Sequence, residues 1–298
     1  MKNLVQKLLA PLAAAVLCTA GFAADKIPVT ASFSILGDLV RVVGGERVAV
    51  TSLVGPDEDA HVFEPKPSDA KTILASKLLV TNGLGFEPWA QKLAKSAGYK
   101  GASVVASKGV KGRTLTDEKG RPEADPHAWQ DPTNVVLYVR NIASALGQID
   151  PAGASAYQAN SEAYVQELQT LDAWAKEQFA AIPAPKRKVI TSHDAFGYFA
   201  AHYQLQFLAP QGVSTEAEPS AKEVAKLIRQ IQREKIKAVF MENMSNPKLL
   251  AQLSKDAGVT LGASLYADAL SGPGQPGSSY LLMARHNVTQ LALGMQNN

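Results

Sequence analysis

Cysteine is almost missing from this 298-residue chain, which has only Cys18. One thiol excludes a disulfide framework and any zinc site built from several thiolates. An excess of one charge is missing as well. Thirty Lys and Arg face 27 Asp and Glu, a formal net charge of +3, with no block of five or more basic residues. A nucleic-acid binder would show a basic stripe, so no nucleic-acid partner is expected. Charged residues make up 19% and aromatics 7%, against 46% hydrophobic residues, which is too apolar a balance for a disordered chain. After the N-terminus no stretch approaches the ~18 apolar residues of a membrane span. His-Glu-x-x-His and a Gly-x-Ser-x-Gly elbow are both absent, which weakens the case for an exported zinc hydrolase. What remains is a globular chain long enough for two domains of ordinary size.

The N-terminus has the layout of a secretory signal peptide. Lys2 and Lys7 start it, Leu8 to Leu17 form an apolar run broken by Pro11, and Ala20-Gly21-Phe22-Ala23-Ala24 supply small residues for cleavage after Ala23 or Ala24. Cys18 falls inside this leader. Leu17 before it fits a lipid-modified cysteine poorly, because lipoprotein signals take a small residue there. A soluble, periplasmic protein with a cleaved leader is expected, with no direct membrane insertion and a mature charge near +1 once Lys2 and Lys7 are gone.

Short β-branched runs then alternate with helical patterns. Ile27–Ser32, Val48–Val54, Leu78–Thr81 and Ser103–Ala106 read as strands of a first half; Lys188–Ser192, Gln206–Leu208, Ala238–Met241 and Val259–Ser264 read as strands of a second. Ile35–Val43, Ser68–Ala75, Pro88–Ser96 and Pro132–Leu146 carry apolar residues at helical spacing. Asp131 before Pro132 reads as an N-cap, and Ser220 to Glu223 as a capping box. Alternating strands and helices imply parallel sheets, hence an α/β fold. Between the halves, Ala152 to Ala181 reads as one helix striped by Tyr157, Tyr164, Leu168, Leu171, Ala175 and Phe179. About 30 residues would span roughly 45 Å, a rigid strut between two lobes. The expected division is a leader at 1–24, an N-terminal lobe at 25–150, a linking helix at 151–184 and a C-terminal lobe at 185–298. Lys108–Pro126 reads as a long polar loop.

Five histidines are present. His202 and His286 fall on helices and read as packing residues. The other three lie in loops after strands or before helices: His61 in Asp59-Ala60-His61-Val62-Phe63-Glu64-Pro65, His127 in Asp125-Pro126-His127-Ala128-Trp129, and His193 in Ser192-His193-Asp194-Ala195-Phe196. Ligands of open α/β sheets bind at that edge. Taken singly, each would more often be an ordinary loop or core histidine. Three imidazoles drawn from two lobes instead suggest a cleft that holds Zn²⁺, Mn²⁺ or Fe²⁺, with a carboxylate as the natural fourth donor. Asp268, in Tyr266-Ala267-Asp268-Ala269-Leu270 after the last strand, is well placed for that role. Asp57, Glu58 and Asp59 read as a solvated acidic turn.

These segments, with Thr215-Glu216-Ala217-Glu218-Pro219-Ser220, resemble the substrate-binding proteins of bacterial zinc and manganese ABC importers, the metal-binding cluster of periplasmic binding proteins. The five segments occur in the family's order across almost the whole mature chain. The resemblance implies two four-stranded parallel lobes bridged by a rigid helix. It also implies metal ligands at His61, His127, His193 and Asp268, and a monomer that delivers its ion to a membrane permease. Histidine rather than glutamate at the third position tilts the cargo toward Zn²⁺, and three nitrogen donors agree; Mn²⁺, or iron, is the alternative. The absence of histidine from Lys108–Pro126 departs from many zinc members, which carry a histidine-rich loop there. A filled tetrahedron leaves no position for a catalytic water, so no enzymatic activity is expected. Affinity is expected to fall steeply below about pH 6, since free imidazole titrates near ~6.5. The strut is expected to resist wide hinge closure, so that His193 and Asp268 leave together by local movement of the second lobe.

Overall fold

The computed structural model describes residues 25–116 and 122–298; the expected leader, with Cys18, lies outside the described residues. Chain order is β1 (Ile27–Phe33), α1 (Ser34–Gly44), β2 (Val48–Val54), α2 (Pro67–Ala75), β3 (Leu78–Thr81), α3 (Pro88–Ala97) and β4 (Ala102–Val105). The short strands β5 (Arg113–Thr116) and β6 (Pro122–Asp125) follow, then α4 (Pro132–Ile149) and α5 (Ala154–Ala180). The rest consists of β7 (Lys188–Ile190), α6 (Gly197–Tyr203), β8 (Gln206–Leu208), α7 (Ala221–Glu234), α8 (Pro247–Ala257) and α9 (Tyr280–Gln296).

The molecule has two α/β lobes. In the first, four parallel strands lie in the order β2-β1-β3-β4. The residues of β1 from Val29 to Phe33 are all buried, as a central parallel strand covered on both faces requires. Helix α1 presents Ile35, Leu36, Leu39, Val40 and Val43 to this core, a stripe at three- and four-residue spacing. At α4, Asp131 caps as the sequence suggests, accepting a 2.8 Å hydrogen bond from the Thr133 N–H, with Pro132 in the first turn. The Lys108–Pro126 segment departs from expectation: β5 and β6 pair antiparallel, Arg113 opposite Asp125. Its polar composition hid a hairpin whose apolar content is too low for a strand signal.

The second lobe is less regular than its sequence implies. Only β7 and β8 form a continuous parallel ladder. The expected strands at 238–241 and 259–264 run alongside through isolated parallel bridges, Ile190 to Val239, Val239 to Leu261 and Glu242 to Leu265. Phe240 explains part of the break: its ring lies where a Cβ on Ser220 and Glu223 form the capping box at the start of α7.

The strut is 27 residues long, about 40 Å at 1.5 Å per residue. It threads both cores. Tyr157, Tyr164, Val165, Leu168 and Leu171 belong to the first, and Ala175 and Phe179 to the second. Helix α9 does the same in parallel fashion, with Tyr280, Met283 and Ala284 in the first core and Val288, Leu291, Ala292 and Met295 in the second. No helix among the described residues is long and apolar enough to cross a membrane.

Candidate metal centre

The four residues singled out in the sequence converge. His61 stands in the loop after β2, His127 between β6 and α4, His193 after β7, and Asp268 beyond the 259–265 segment. His61 Nε2 lies 3.3 Å from His127 Nε2 and 3.2 Å from Asp268 Oδ2. Asp268 Oδ2 is 3.1 Å from His193 Nε2, and its Oδ1 is 3.5 Å from His127 Nε2. All the donor atoms fall within 4.8 Å of one another. A tetrahedron with bonds of about 2.0–2.1 Å has edges of roughly 3.3–3.4 Å, so the four closest edges match a small tetrahedral cation.

The polar bookkeeping points the same way. His127, His193 and Asp268 are fully buried, and His61 keeps a sliver of exposure. His193 Nε2 and both oxygens of Asp268 have no hydrogen-bond partner. Leaving one such group unsatisfied costs about 1–3 kcal/mol, and a cation among them satisfies all three. The walls are dry and aromatic: Phe86 packs edge-on against His61 with ring centres 4.8 Å apart, and Trp129 lies 5.3 Å from His127.

Each buried imidazole is held by a carboxylate on its far side. Asp125 Oδ1 lies 2.9 Å from His127 Nδ1 and also accepts the His127 N–H, while Arg113 donates to Oδ2. Glu242 faces His193 Nδ1. Burial alone would push the His127 ring down, but the Asp268 charge and the Asp125 hydrogen bond outweigh it and hold it up, at about 9. His193 is raised well above its ordinary value against the same opposition, by Glu242 and then Asp268. Burial disfavours the Asp268 carboxylate, yet His193 and His127 keep it well below the usual range.

Two expectations change here. The turn at Asp57–Asp59 is not merely solvated, since it bridges the lobes: Asp57 Oδ1 accepts from Asn243 Nδ2 at 2.7 Å, and Asp59 Oδ2 from the Thr215 hydroxyl at 2.7 Å. Asp59 Oδ1 accepts the His61 N–H, so the same side chain fixes a donor loop. Asp268, despite its place late in the chain, is anchored to the first lobe. The Ala267 carbonyl before it accepts from Trp129 Nε1 and Gln130 Nε2, and Leu270 N donates to the Ser34 hydroxyl. Leu270 O accepts from Asp57 N. His193 alone therefore sits on the rest of the second lobe.

His202 and His286 lie elsewhere, as the sequence implies. His202 pairs with Asp172 on the strut at 2.6 Å, and His286 Nε2 lies 2.8 Å from the Ser264 carbonyl. Sequence reasoning missed Glu242. Its signal was position: it directly follows the expected strand at 238–241, at the edge where His193 also emerges. Beside the site a cavity of about 230 Å³, lined by Asp59, Val62, Ser192, Thr215, Glu218 and Leu250, leads between the lobes.

Comparison with known proteins agrees with this geometry. Residues 29–294 match the family described as zinc-uptake complex component A, periplasmic. The chain is 32% identical over 285 residues to the metal ABC transporter substrate-binding lipoprotein SloC of Streptococcus mutans, covering 93% of each chain. It is 33% identical over 271 residues to the manganese-binding lipoprotein MntA of Halalkalibacterium halodurans, covering 91% of this chain and 89% of that one. Among solved structures, the periplasmic zinc binding protein TroA from Treponema pallidum superposes with a TM-score of 0.85 at 27% identity, over 91% of this chain and 99% of that one.

Proposed function

Because the chain belongs to the family of periplasmic zinc-uptake components, the metal-binding subunits of ABC importers and not enzymes, we propose that it captures Zn²⁺ between its lobes and hands it to a membrane permease. His61, His127, His193 and Asp268 are the proposed ligands. The observation that carries this reading is the match of the 3.1–3.5 Å donor spacing to a tetrahedron of short metal–nitrogen bonds. Three imidazoles and a single carboxylate suit zinc, whereas manganese favours oxygen-rich, higher-coordinate sites.

Manganese is the second reading, and one observation favours it. Both oxygens of Asp268 are unpartnered, so a bidentate carboxylate would raise the coordination number to five. Elemental analysis of gently purified protein, followed by competitive titration of Zn²⁺ against Mn²⁺, separates the two. Zinc should be present at one ion per chain and resist displacement by equimolar manganese. Manganese in the purified protein together with its preferential retention would reverse the assignment.

The lobes are proposed to comprise residues 25–150 and 185–298, with 151–184 as the link, and the protein to act as a monomer. Export with cleavage after Ala23 or Ala24 is proposed over lipid attachment at Cys18, because Leu17 precedes the cysteine. Intact mass measurement of the mature protein decides, since a lipidated chain would begin at Cys18.

A further inference from the structure

Glu242 is a buried carboxylate, 2% exposed, whose only ionic neighbour among the described residues is His193. Burying a carboxylate without a Lys or Arg is costly unless every lone pair is used. Here they are. Oε1 accepts the N–H groups of Ser192 and His193 at 2.9 and 3.0 Å, and Oε2 faces His193 Nδ1 and receives the Ser245 hydroxyl at 3.3 Å. The Ser192 hydroxyl in turn accepts from the Glu242 N–H. One side chain thus grips the His193 backbone and ring together.

The ring nitrogens of histidine are not equivalent once one of them is engaged. A carboxylate on Nδ1 requires a proton there, so in the neutral ring the lone pair lies on Nε2. That nitrogen is the one 3.1 Å from Asp268. Deepening the reading of His193 as a ligand, and resting on it, we infer that Glu242 is its positioning residue: it sets the tautomer and ring plane of His193 so that Nε2 offers its lone pair to the metal. The three histidines are then graded. His61 has no carboxylate on Nδ1 among the described residues, and His127 shares Asp125 with Arg113. His193 alone receives the undivided charge of its partner.

Glu242→Gln separates positioning from simple loop capping. Glutamine has one oxygen. If it continues to accept the two backbone N–H groups, its NH₂ points at Nδ1 and drives the proton to Nε2, toward the metal. If it turns to accept Nδ1–H, the Ser192 and His193 amides lose their acceptor. The expected result is a roughly 10- to 100-fold loss of zinc affinity in competitive titration, with the melting curve of the chelator-treated protein nearly unchanged. In a His193→Ala background the same replacement should cause no further loss. Wild-type affinity in Glu242→Gln, or an equal loss in both backgrounds, would overturn the inference. Should the variant not fold, long-range ¹H–¹⁵N spectra of the zinc-bound wild-type protein decide: Nδ1 protonated and Nε2 metal-bound supports it, and the reverse refutes it. His193→Ala with undiminished zinc affinity would instead bring down the ligand assignment itself, so the two failures are distinguishable.

Discussion

Replacing Glu87 by glutamine should make the metal-free protein more stable above pH 8 while leaving it little changed at pH 4.5. Glu87 begins α3 in the first lobe and is 4% exposed. Its carboxylate accepts from the Ser32 hydroxyl at 2.9 Å, from Asn82 N and from Gly83 N. Asn82 in turn bonds the Pro126 carbonyl next to His127, so the cluster buttresses a donor loop. Burial outweighs these hydrogen bonds and raises the carboxyl from its ordinary 4.5 to about 7. Between these limits the folded chain keeps a proton that the unfolded chain has lost. Stability from this group is therefore complete below pH 4.5, declines as pH rises, and is gone above 7. At about 1.36 kcal/mol per pH unit the loss approaches 3 kcal/mol. Glutamine mimics the protonated form and does not titrate. The gap in melting temperature between variant and wild type should open by roughly 6–12 °C from pH 4.5 to pH 8.5, measured by calorimetry with chelator present. A gap that stays constant across that range would show that Glu87 is ionised in the folded protein at all of these pH values, and the burial argument would fail.

Other predictions concern the site. Asp268→Ala removes the only anionic donor and should speed zinc loss to a chelator more than it lowers the melting temperature, whereas His202→Ala and His286→Ala should leave zinc affinity at the wild-type level; loss of affinity in either of the latter would refute the assignment. With His127 held up to about 9, the metal-free site keeps its protons at pH 7.5, so zinc binding should release more than one proton per ion. Calorimetry in buffers of different ionisation heat measures this, and zero release would contradict it. This places the fall in affinity at higher pH than free imidazole would suggest. Thr215→Val deletes the hydroxyl bonded to Asp59 across the lobes and should raise the zinc off-rate several-fold with little change in folding; stopped-flow chelation that finds an unchanged rate would exclude this bond as a latch.

Much of the site was legible because its chemistry is rare. With five histidines in the chain, three in loops at strand ends stand out against two on helices. Strand and helix periodicity located β1 to β4 to within about a residue, and the stripe on α5 announced a helix longer than one lobe needs. The misses share a physical cause. The partnership of Asp59 with Thr215 joins residues 156 apart, and no local pattern encodes it. Chain order suggested that Asp268 belongs to the second lobe, but Trp129, Gln130 and Ser34 tie its loop to the first. The β5–β6 hairpin is too polar to show strand alternation, and Glu242 became meaningful only once His193 lay beside it.

The threading of α9 through both cores also sets when the molecule can finish folding. Leu270 reaches back 236 residues to Ser34, and the Tyr280 amide reaches 242 residues to Asp38. Contacts of such separation are slow to form, and during synthesis neither core closes until the last helix has emerged. Even Asn298 takes part, accepting from the Lys237 and Ala238 amides and donating to the carbonyls of Lys186 and Lys188. A growing chain would thus stay open for nearly its whole length. For a polypeptide bound for a translocation pore that admits only unfolded protein, this late closure amounts to a built-in delay.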